Sequence, residues 1–272
     1  MQHVEDRITV TTDVHLHVEH WAPDERSRGL IVIAHGIAEH ISRYRHVAER
    51  FVEHGWSVVG PDHRGHGRSS GELGMLPDLE VAAADLDQVV TWADPGSAPV
   101  VMLGHSMGSL IALTAVLRRP DAYSSLVLSG TALAAGDDTG GATKAVLKGL
   151  ARVMPTARLV PPLDSNQICS DAAVVQAYTE DPLVDHGRPR LATGLAMLRA
   201  IDEIKAKAGS ITLPTLLVHG VDDGLTPISG AEWLVDGIGS EVVELKRYAG
   251  RHEVMNEPIW SEVVDDIDAW LR

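Results

Sequence analysis

The chain has 272 residues with 25 Gly, 14 Pro and one Cys, and is 44% hydrophobic and 22% charged; these are globular values, which exclude a disordered or collagen-like chain, and the single Cys169 excludes a disulfide scaffold. Lys plus Arg is 23 and Asp plus Glu is 38, a formal charge of −15, which argues against a nucleic-acid partner and against general electrostatic docking on anionic lipid. At roughly 100–200 residues per domain the length suits one large domain, or one carrying an insertion.

The first residues, Met1-Gln2-His3-Val4-Glu5-Asp6-Arg7, lack the apolar core of a signal peptide. No apolar run approaches the ~18 residues of a membrane span. A soluble, cytoplasmic protein is the expectation, without internal repeats or low-complexity tracts. Residues 7–21 alternate polar and apolar and predict a half-exposed antiparallel pair. The all-apolar run 30–34 predicts a strand buried on both faces. Tyr44, Val47 and Phe51 follow a helical period that Gly55 closes. A short strand over 56–60 precedes a long amphipathic helix marked by Leu79, Ala82, Leu86, Val89 and Ala93. Strand 99–103, a helix over 106–118 and strand 125–129 follow. From 131 to 210 Gly, Pro and Asp cluster and no strand pattern is visible. The alternation resumes with strand 213–218, helix 227–237, strand 242–248 and helix 258–271, with Asn256-Glu257-Pro258 as its capped start. Alternating β and α predicts a mainly parallel sheet covered on both faces, and the interruption predicts an insertion large enough to form a helical lid.

Gly104-His105-Ser106-Met107-Gly108 fits G-x-S-x-G, and so does Gly67-Arg68-Ser69-Ser70-Gly71. Context separates them. The Ser106 copy follows an apolar strand and opens an apolar-periodic helix, where a nucleophilic serine on a sharp turn belongs. The Ser69 copy lies in a Gly-rich, charged stretch and reads as loop. A serine nucleophile needs a histidine to take its proton and a carboxylate to orient that histidine. In such a sheet they follow at the ends of later strands, in the order Ser, Asp/Glu, His. Strand 213–218 leads to Asp222-Asp223, and strand 242–248 to His252. Asp223 is favoured over Asp222 because Asp223-x-x-Thr226-Pro227 enters the next helix directly. His252-Glu253-Val254-Met255-Asn256 stops one histidine short of H-E-x-x-H, so no zinc-protease site is expected. His15 and His17 share one strand face and His20 the other; solvated strand histidines are the favoured reading there, and no metal is expected. The tetrahedral intermediate needs two backbone donors, for which Met107 N–H and Ile37 N–H are the candidates.

With these residues placed, the whole chain resembles an α/β-hydrolase of the monoacylglycerol lipase and lysophospholipase group. The resemblance rests on His35-Gly36-Ile37-Ala38-Glu39-His40 with Arg43-Tyr44, on Asp62-His63-Arg64-Gly65-His66-Gly67-Arg68-Ser69, and on 104–108. Asp181-Pro182-Leu183-Val184 and Arg251-His252-Glu253-Val254-Met255-Asn256-Glu257 add to it. It implies a mostly parallel eight-stranded sheet flanked by helices, a single domain over 1–272 with a helical lid at 131–210, and Ser106, Asp223 and His252 as triad, with Ile37 and Met107 as oxyanion donors. Ser109 stands where many relatives carry a third glycine, a departure expected to leave the chemistry unaffected.

Within the insertion, Val146, Leu147, Leu150, Val153 and Met154 fall on one helical face and Lys144, Lys148 and Arg152 on the other, with Arg158 close behind. Two readings need this same pattern: a lid helix that touches a lipid surface and lines an acyl channel through Val146, Leu147 and Leu150, or a helix packed on the core with its charges in water. Cys169 reads as a buried or lid-lining thiol. The expected function is ester hydrolysis through an acyl-enzyme without a cofactor, monoacylglycerol or a similar lipid ester being the substrate. The alternatives are a lysophospholipase or short-chain carboxylesterase on the same residues, or a ligand-binding protein of the same fold without turnover. Epoxide hydrolase and dehalogenase relatives are disfavoured because they place aspartate where Ser106 stands.

Overall fold

A computed structural model of the chain describes residues 1–135, 146, 149–159 and 161–272. The alternating N-terminus folds into an antiparallel hairpin of β1 (Gln2–Thr11) and β2 (Val14–Ala22). Ile8, Val10, Leu16 and Val18 share its core-facing side. The pair begins earlier than residue 7, because Gln2 through Asp6 find partners from Ala22 back to Val18. The other strands are β3 (Leu30–Ala34), β4 (Ser57–Pro61), β5 (Val100–His105), β6 (Ser125–Ser129), β7 (Thr215–Gly220) and β8 (Val243–Tyr248). They form one eight-stranded sheet in the order β1-β2-β4-β3-β5-β6-β7-β8. The β2–β4 pairing is antiparallel and the pairings from β4 to β8 are parallel. β7 starts at Thr215 rather than 213, since Pro214 has no N–H to give the ladder; its carbonyl instead accepts from Leu126 N–H at 2.9 Å.

Helices cover both faces. On one lie α1 (Arg45–Glu53), whose Phe51 and Val47 join Ile31, Ile33 and Val58 of the sheet, and the C-terminal helix described below. On the other lie α2 (Leu79–Ala93) and α3 (Met107–Arg118), with Leu86, Val89, Leu110 and Ile111 buried against Val32, Met102 and Leu128. Gly55, at φ +87°, closes α1 in the left-handed region, as the C′ position requires. Asp78 caps α2 by accepting from Glu80 N–H at 2.9 Å.

Between β6 and β7 the described residues hold no strand. They include α4 (Ala172–Glu180) and α5 (Leu191–Lys207). Ile168, Cys169, Tyr178 and Val184 make a small core of their own. α5 is shared: Ala196, Ala200, Ile201 and Ile204 bury into the main core. Beyond β7, α6 (Ser229–Gly237) starts two residues later than expected, and α7 (Trp260–Trp270) starts at Trp260 rather than 258. The supposed cap of α7 is otherwise engaged. Asn256 Nδ2 donates to Glu253 Oε2 at 2.8 Å, and Glu257 Oε1 accepts from Arg251 N–H at 2.7 Å and Ser170 N–H at 2.9 Å. Glu257 thus ties the inserted segment to the loop after β8. Among the described residues no helix is long and apolar enough to cross a membrane.

Candidate active site

β5 ends at His105 and α3 begins at Met107, so Ser106 alone makes the turn, at φ +52° and ψ −119°. A non-glycine residue is strained there and persists when its surroundings hold it. Two glycines let the chain close around it. A Cβ on Gly104 would lie 2.4 Å from the Gly108 carbonyl oxygen, and one on Gly108 only 1.9 Å from that of Ala34. Ser106 N–H donates to Ser129 O at 2.9 Å. The Ser109 hydroxyl donates to Ser106 O at 2.6 Å and accepts from Ala132 N–H at 3.1 Å. The serine in the third-glycine position therefore ties the turn to the exit of β6.

Asp223 and His252 come from the loops after β7 and β8, and His252 Nδ1 stands 2.8 Å from Asp223 Oδ2. Asp223 Oδ1 accepts from Leu225 and Thr226 N–H at 2.9 Å each, and Oδ2 accepts from the Thr226 hydroxyl at 2.8 Å. His219 Nε2 lies 3.3 Å from Oδ2. Burial opposes ionisation of Asp223, but hydrogen bonds from His219 and His252 hold its carboxyl far below the usual range. An ionised carboxylate only accepts, so His252 carries its proton on Nδ1 and leaves Nε2 free to accept. Asp222 is exposed and gives its N–H to Gly250 O, as a turn residue does. Sequence reasoning assigned no role to His219 or to the Thr226 side chain; the strand end at His219 and the Thr226-Pro227 pair were the available signals.

Ser106 and His252 border one cavity of about 300 Å³. Its walls are mostly apolar, with Leu191, Leu195, Leu198 and Ile201 of α5 facing Ile37 and Leu225. Glu39, Thr226 and Glu253 also line it. Met107, as the first residue of α3, has an N–H without an intrahelical partner. Ile37 sits in the loop after β3, whose neighbour Ala38 is also left-handed, at φ +69°. Glu39 Oε1 accepts Gly36 N–H at 2.6 Å and the Tyr44 hydroxyl at 2.8 Å. Arg43 joins this loop to the histidine loop: it donates to Glu39 Oε2 at 2.6 Å and to both oxygens of Glu253 at 2.8 and 2.7 Å. It also lies over the Tyr178 ring of α4 at 4.9 Å. Burial pushes the Glu39 carboxyl up, whereas against the same burial Arg43 holds Glu253 at about 2.

Behind the β3 loop, His35 Nδ1 donates to Gly36 O at 2.8 Å and Nε2 accepts His63 N–H at 2.9 Å. Burial, then repulsion from His66, lowers His63 to about 3; burial, then repulsion from His252, lowers His105 to about 3. In the unfolded chain both protonate near the ordinary ~6.5. Between those values the unfolded state binds more protons, so stability falls as pH drops through about 6.5. Glu39 and Asp85, raised by burial, act with the opposite sign. His63 and His105 are each expected to forfeit about 2 kcal/mol at pH 5 relative to pH 7.5. Urea unfolding at the two pH values checks this; a midpoint that holds or rises at pH 5 contradicts it.

The cavity-lining role expected of Val146 and Leu150 is not what the described residues show. Leu147, Lys144 and Lys148 lie outside the described residues. Val146 is 61% exposed and Leu150 half-buried, and neither borders the cavity. Val153 and Met154 are likewise exposed. The pattern of apolar residues is the same whichever way such a face turns; of its described members Val146, Val153 and Met154 are exposed and Leu150 is half-buried. The inserted segment lines the cavity through α5 and through Leu163, Ile168 and Tyr178 instead. Arg158 is not part of a free basic face: it pairs with Asp185 at 2.9 Å. Cys169 is buried, donates to Asn256 O at 3.2 Å and is pushed up to about 12 by burial. Ser69 is a loop residue that donates to Asp62 O at 2.6 Å and accepts His17 N–H at 2.9 Å.

The family model Hydrolase_4, "Serine aminopeptidase, S33", matches residues 25–259. The chain belongs to this family. As a Hydrolase_4 member it is a serine hydrolase with the α/β-hydrolase fold. It is 42% identical over 254 residues to the monoacylglycerol lipase of Mycolicibacterium smegmatis, covering 92% of this chain and 90% of that one. It is 30% identical to the monoglyceride lipase of Rattus norvegicus, over 94% of this chain and 86% of the relative. Among solved structures it is similar to the monoacylglycerol lipase of Paleococcus ferrophilus, with a TM-score of 0.85 at 28% identity, covering 94% and 98% of the two chains.

Proposed function

We propose that this Hydrolase_4 member hydrolyses monoacylglycerol to fatty acid and glycerol, with Ser106, His252 and Asp223 as its triad. His252 Nε2 takes the Ser106 proton as the hydroxyl oxygen attacks the ester carbonyl. The oxyanion forms opposite Ile37 and Met107 N–H, at the positive end of α3. Collapse expels glycerol, which receives the proton from His252. Water, deprotonated by His252, then releases the fatty acid, and no cofactor enters. The observation that carries this reading is the 2.8 Å His252–Asp223 contact beside a cavity that Ser106 shares. The apolar residues of α5 suit an acyl chain, and Glu39, Thr226 and Glu253 offer partners to glycerol hydroxyls. The names of the 42% and 30% identical relatives agree. We read the 131–210 segment as a lid whose exposed Val146, Val153 and Met154 touch lipid surfaces transiently.

Turnover of monoolein, lysophosphatidylcholine and a short nitrophenyl ester ranks the substrates. Monoolein is expected to give the highest kcat/KM. The short ester lacks the chain that fills the α5 wall, and the phosphate of the lysolipid meets Glu39 and Glu253. A higher kcat/KM on the lysolipid would make the protein a lysophospholipase, and on the short ester a carboxylesterase.

A further inference from the structure

The hairpin carries a second cluster of chemically capable side chains, far along the sheet from Ser106. Glu5 pairs with Glu19 and Arg7 with His17 across the β1–β2 ladder, so His3, Glu5, His17 and Glu19 share one face. The sequence pattern is His-x-Glu on each strand, His3-Val4-Glu5 and His17-Val18-Glu19. Glu19 is wholly buried, unusual for a carboxylate. His3 Nε2 stands 2.9 Å from Glu19 Oε2, His17 Nε2 3.5 Å from Glu19 Oε1 and 4.0 Å from Glu5 Oε2. Ligand atoms of His3, Glu5 and Glu19 all lie within 4.8 Å of one another. Four donors around a tetrahedral zinc ion with bonds of ~2.0–2.1 Å are about 3.3 Å apart. The His3–Glu19 contact of 2.9 Å and the His17–Glu19 contact of 3.5 Å, each to its own oxygen of Glu19, fall on either side of that value.

We propose that His3, Glu5 and Glu19, joined by His17 once its side chain shifts toward them, bind a divalent ion of the zinc type, which fastens edge strand β1 to β2. Imidazole with carboxylate suits zinc and its transition-metal neighbours better than the all-oxygen ions calcium and magnesium. His15 is not a ligand: it lies on the same face beyond Arg7, and its Nδ1 is 2.9 Å from the Thr9 hydroxyl. The groups that oppose the ion are Arg45, 3.6 Å from Glu19 and 3.7 Å from Glu5, and Arg68, 3.7 Å from Glu19 and 3.2 Å from His17. Arg68 also donates to the Ser42 hydroxyl at 2.8 Å; both are long side chains, 49% and 42% exposed, that can turn into water when the ion arrives. The Ser42 hydroxyl, which donates to Glu19 Oε1, orients that carboxylate from the side.

The test is calorimetric titration of the untagged, chelator-treated full chain with zinc chloride, beside His3→Ala, Glu5→Gln and His15→Ala. Wild type and His15→Ala are expected to bind one ion per chain with equal affinity. His3→Ala is expected to weaken binding by at least about tenfold, and Glu5→Gln to weaken it less. Zinc should raise the Tm of wild type and not that of His3→Ala. Should His3→Ala fail to fold, Glu5→Gln, at an exposed side chain, carries the comparison. No binding to wild type, or the same affinity in His3→Ala or a lone Glu5→Gln comparison as in wild type, overturns the proposal.

Discussion

Replacing Asp223 by asparagine is expected to lower kcat for ester hydrolysis by about 10⁴-fold, while Asp222→Asn stays near wild type. The asymmetry follows from what each carboxylate touches. In the Asp223→Asn variant the amide oxygen can keep the Leu225 and Thr226 N–H groups that Asp223 Oδ1 now holds. The amide NH₂ group then faces His252 Nδ1, where a donor meets the donor. The imidazole responds by moving its proton to Nε2, the nitrogen that must accept from Ser106. The fold survives and the base is lost. Asp222 is exposed and contributes to the turn through its backbone. Steady-state kinetics on a monoacylglycerol, with thermal unfolding to confirm folding, distinguishes them. Equal losses in both variants would remove Asp223 from its assigned role.

Gly108→Ala is expected to be severely destabilising. The added Cβ would meet the Ala34 carbonyl oxygen at 1.9 Å and the His35 carbonyl oxygen at 2.6 Å. Both are backbone atoms of β3 and its exit, so no side-chain rotation relieves the clash. α3 must move off the sheet, which breaks the packing of Leu110 and Ile111 and displaces the Ser106 turn. A loss above about 4 kcal/mol is expected, visible as a large Tm drop or as insoluble protein. Gly194→Ala in α5 is the control: a Cβ there meets nothing within 4 Å, so it should stabilise by about 0.5–1 kcal/mol. A Gly108→Ala protein melting like wild type would contradict the packing described.

The sheet and the serine turn were legible because local sequence decides them. An all-apolar run of five residues flanked by Gly or Pro makes a buried parallel strand almost anywhere, and a G-x-S-x-G copy between such a run and a periodic helix has one place to go. The choice of Ser106 over Ser69 and of Asp223 over Asp222 rested on that context, and the structure sets the favoured members beside the cavity and at His252. What stayed hidden depends on distant partners. Arg43 appeared only within a family motif, yet it grips Glu253 across 210 positions of chain. Glu257 looked like the start of a helix, but Ser170 and Arg251 claim its carboxylate. Val146 and Leu150 follow a helical stripe that says nothing about which way the stripe turns. His15 and His17 do share one strand face, as their spacing implies; what the spacing could not show is Glu5 on the neighbouring strand, which the register brings to 4.0 Å from His17.

The most direct measurement is the intact mass of the protein after exposure to a fluorophosphonate, read together with monoolein hydrolysis, for wild type and Ser106→Ala. Wild type should gain one adduct per chain, mapped to Ser106, and lose its activity in step. Ser106→Ala should gain none and lose kcat by about 10⁶-fold, as removal of a triad nucleophile does elsewhere. A folded wild type that takes no label would point to ligand binding without turnover, and a Ser106→Ala protein that is labelled or active like wild type would contradict the account outright.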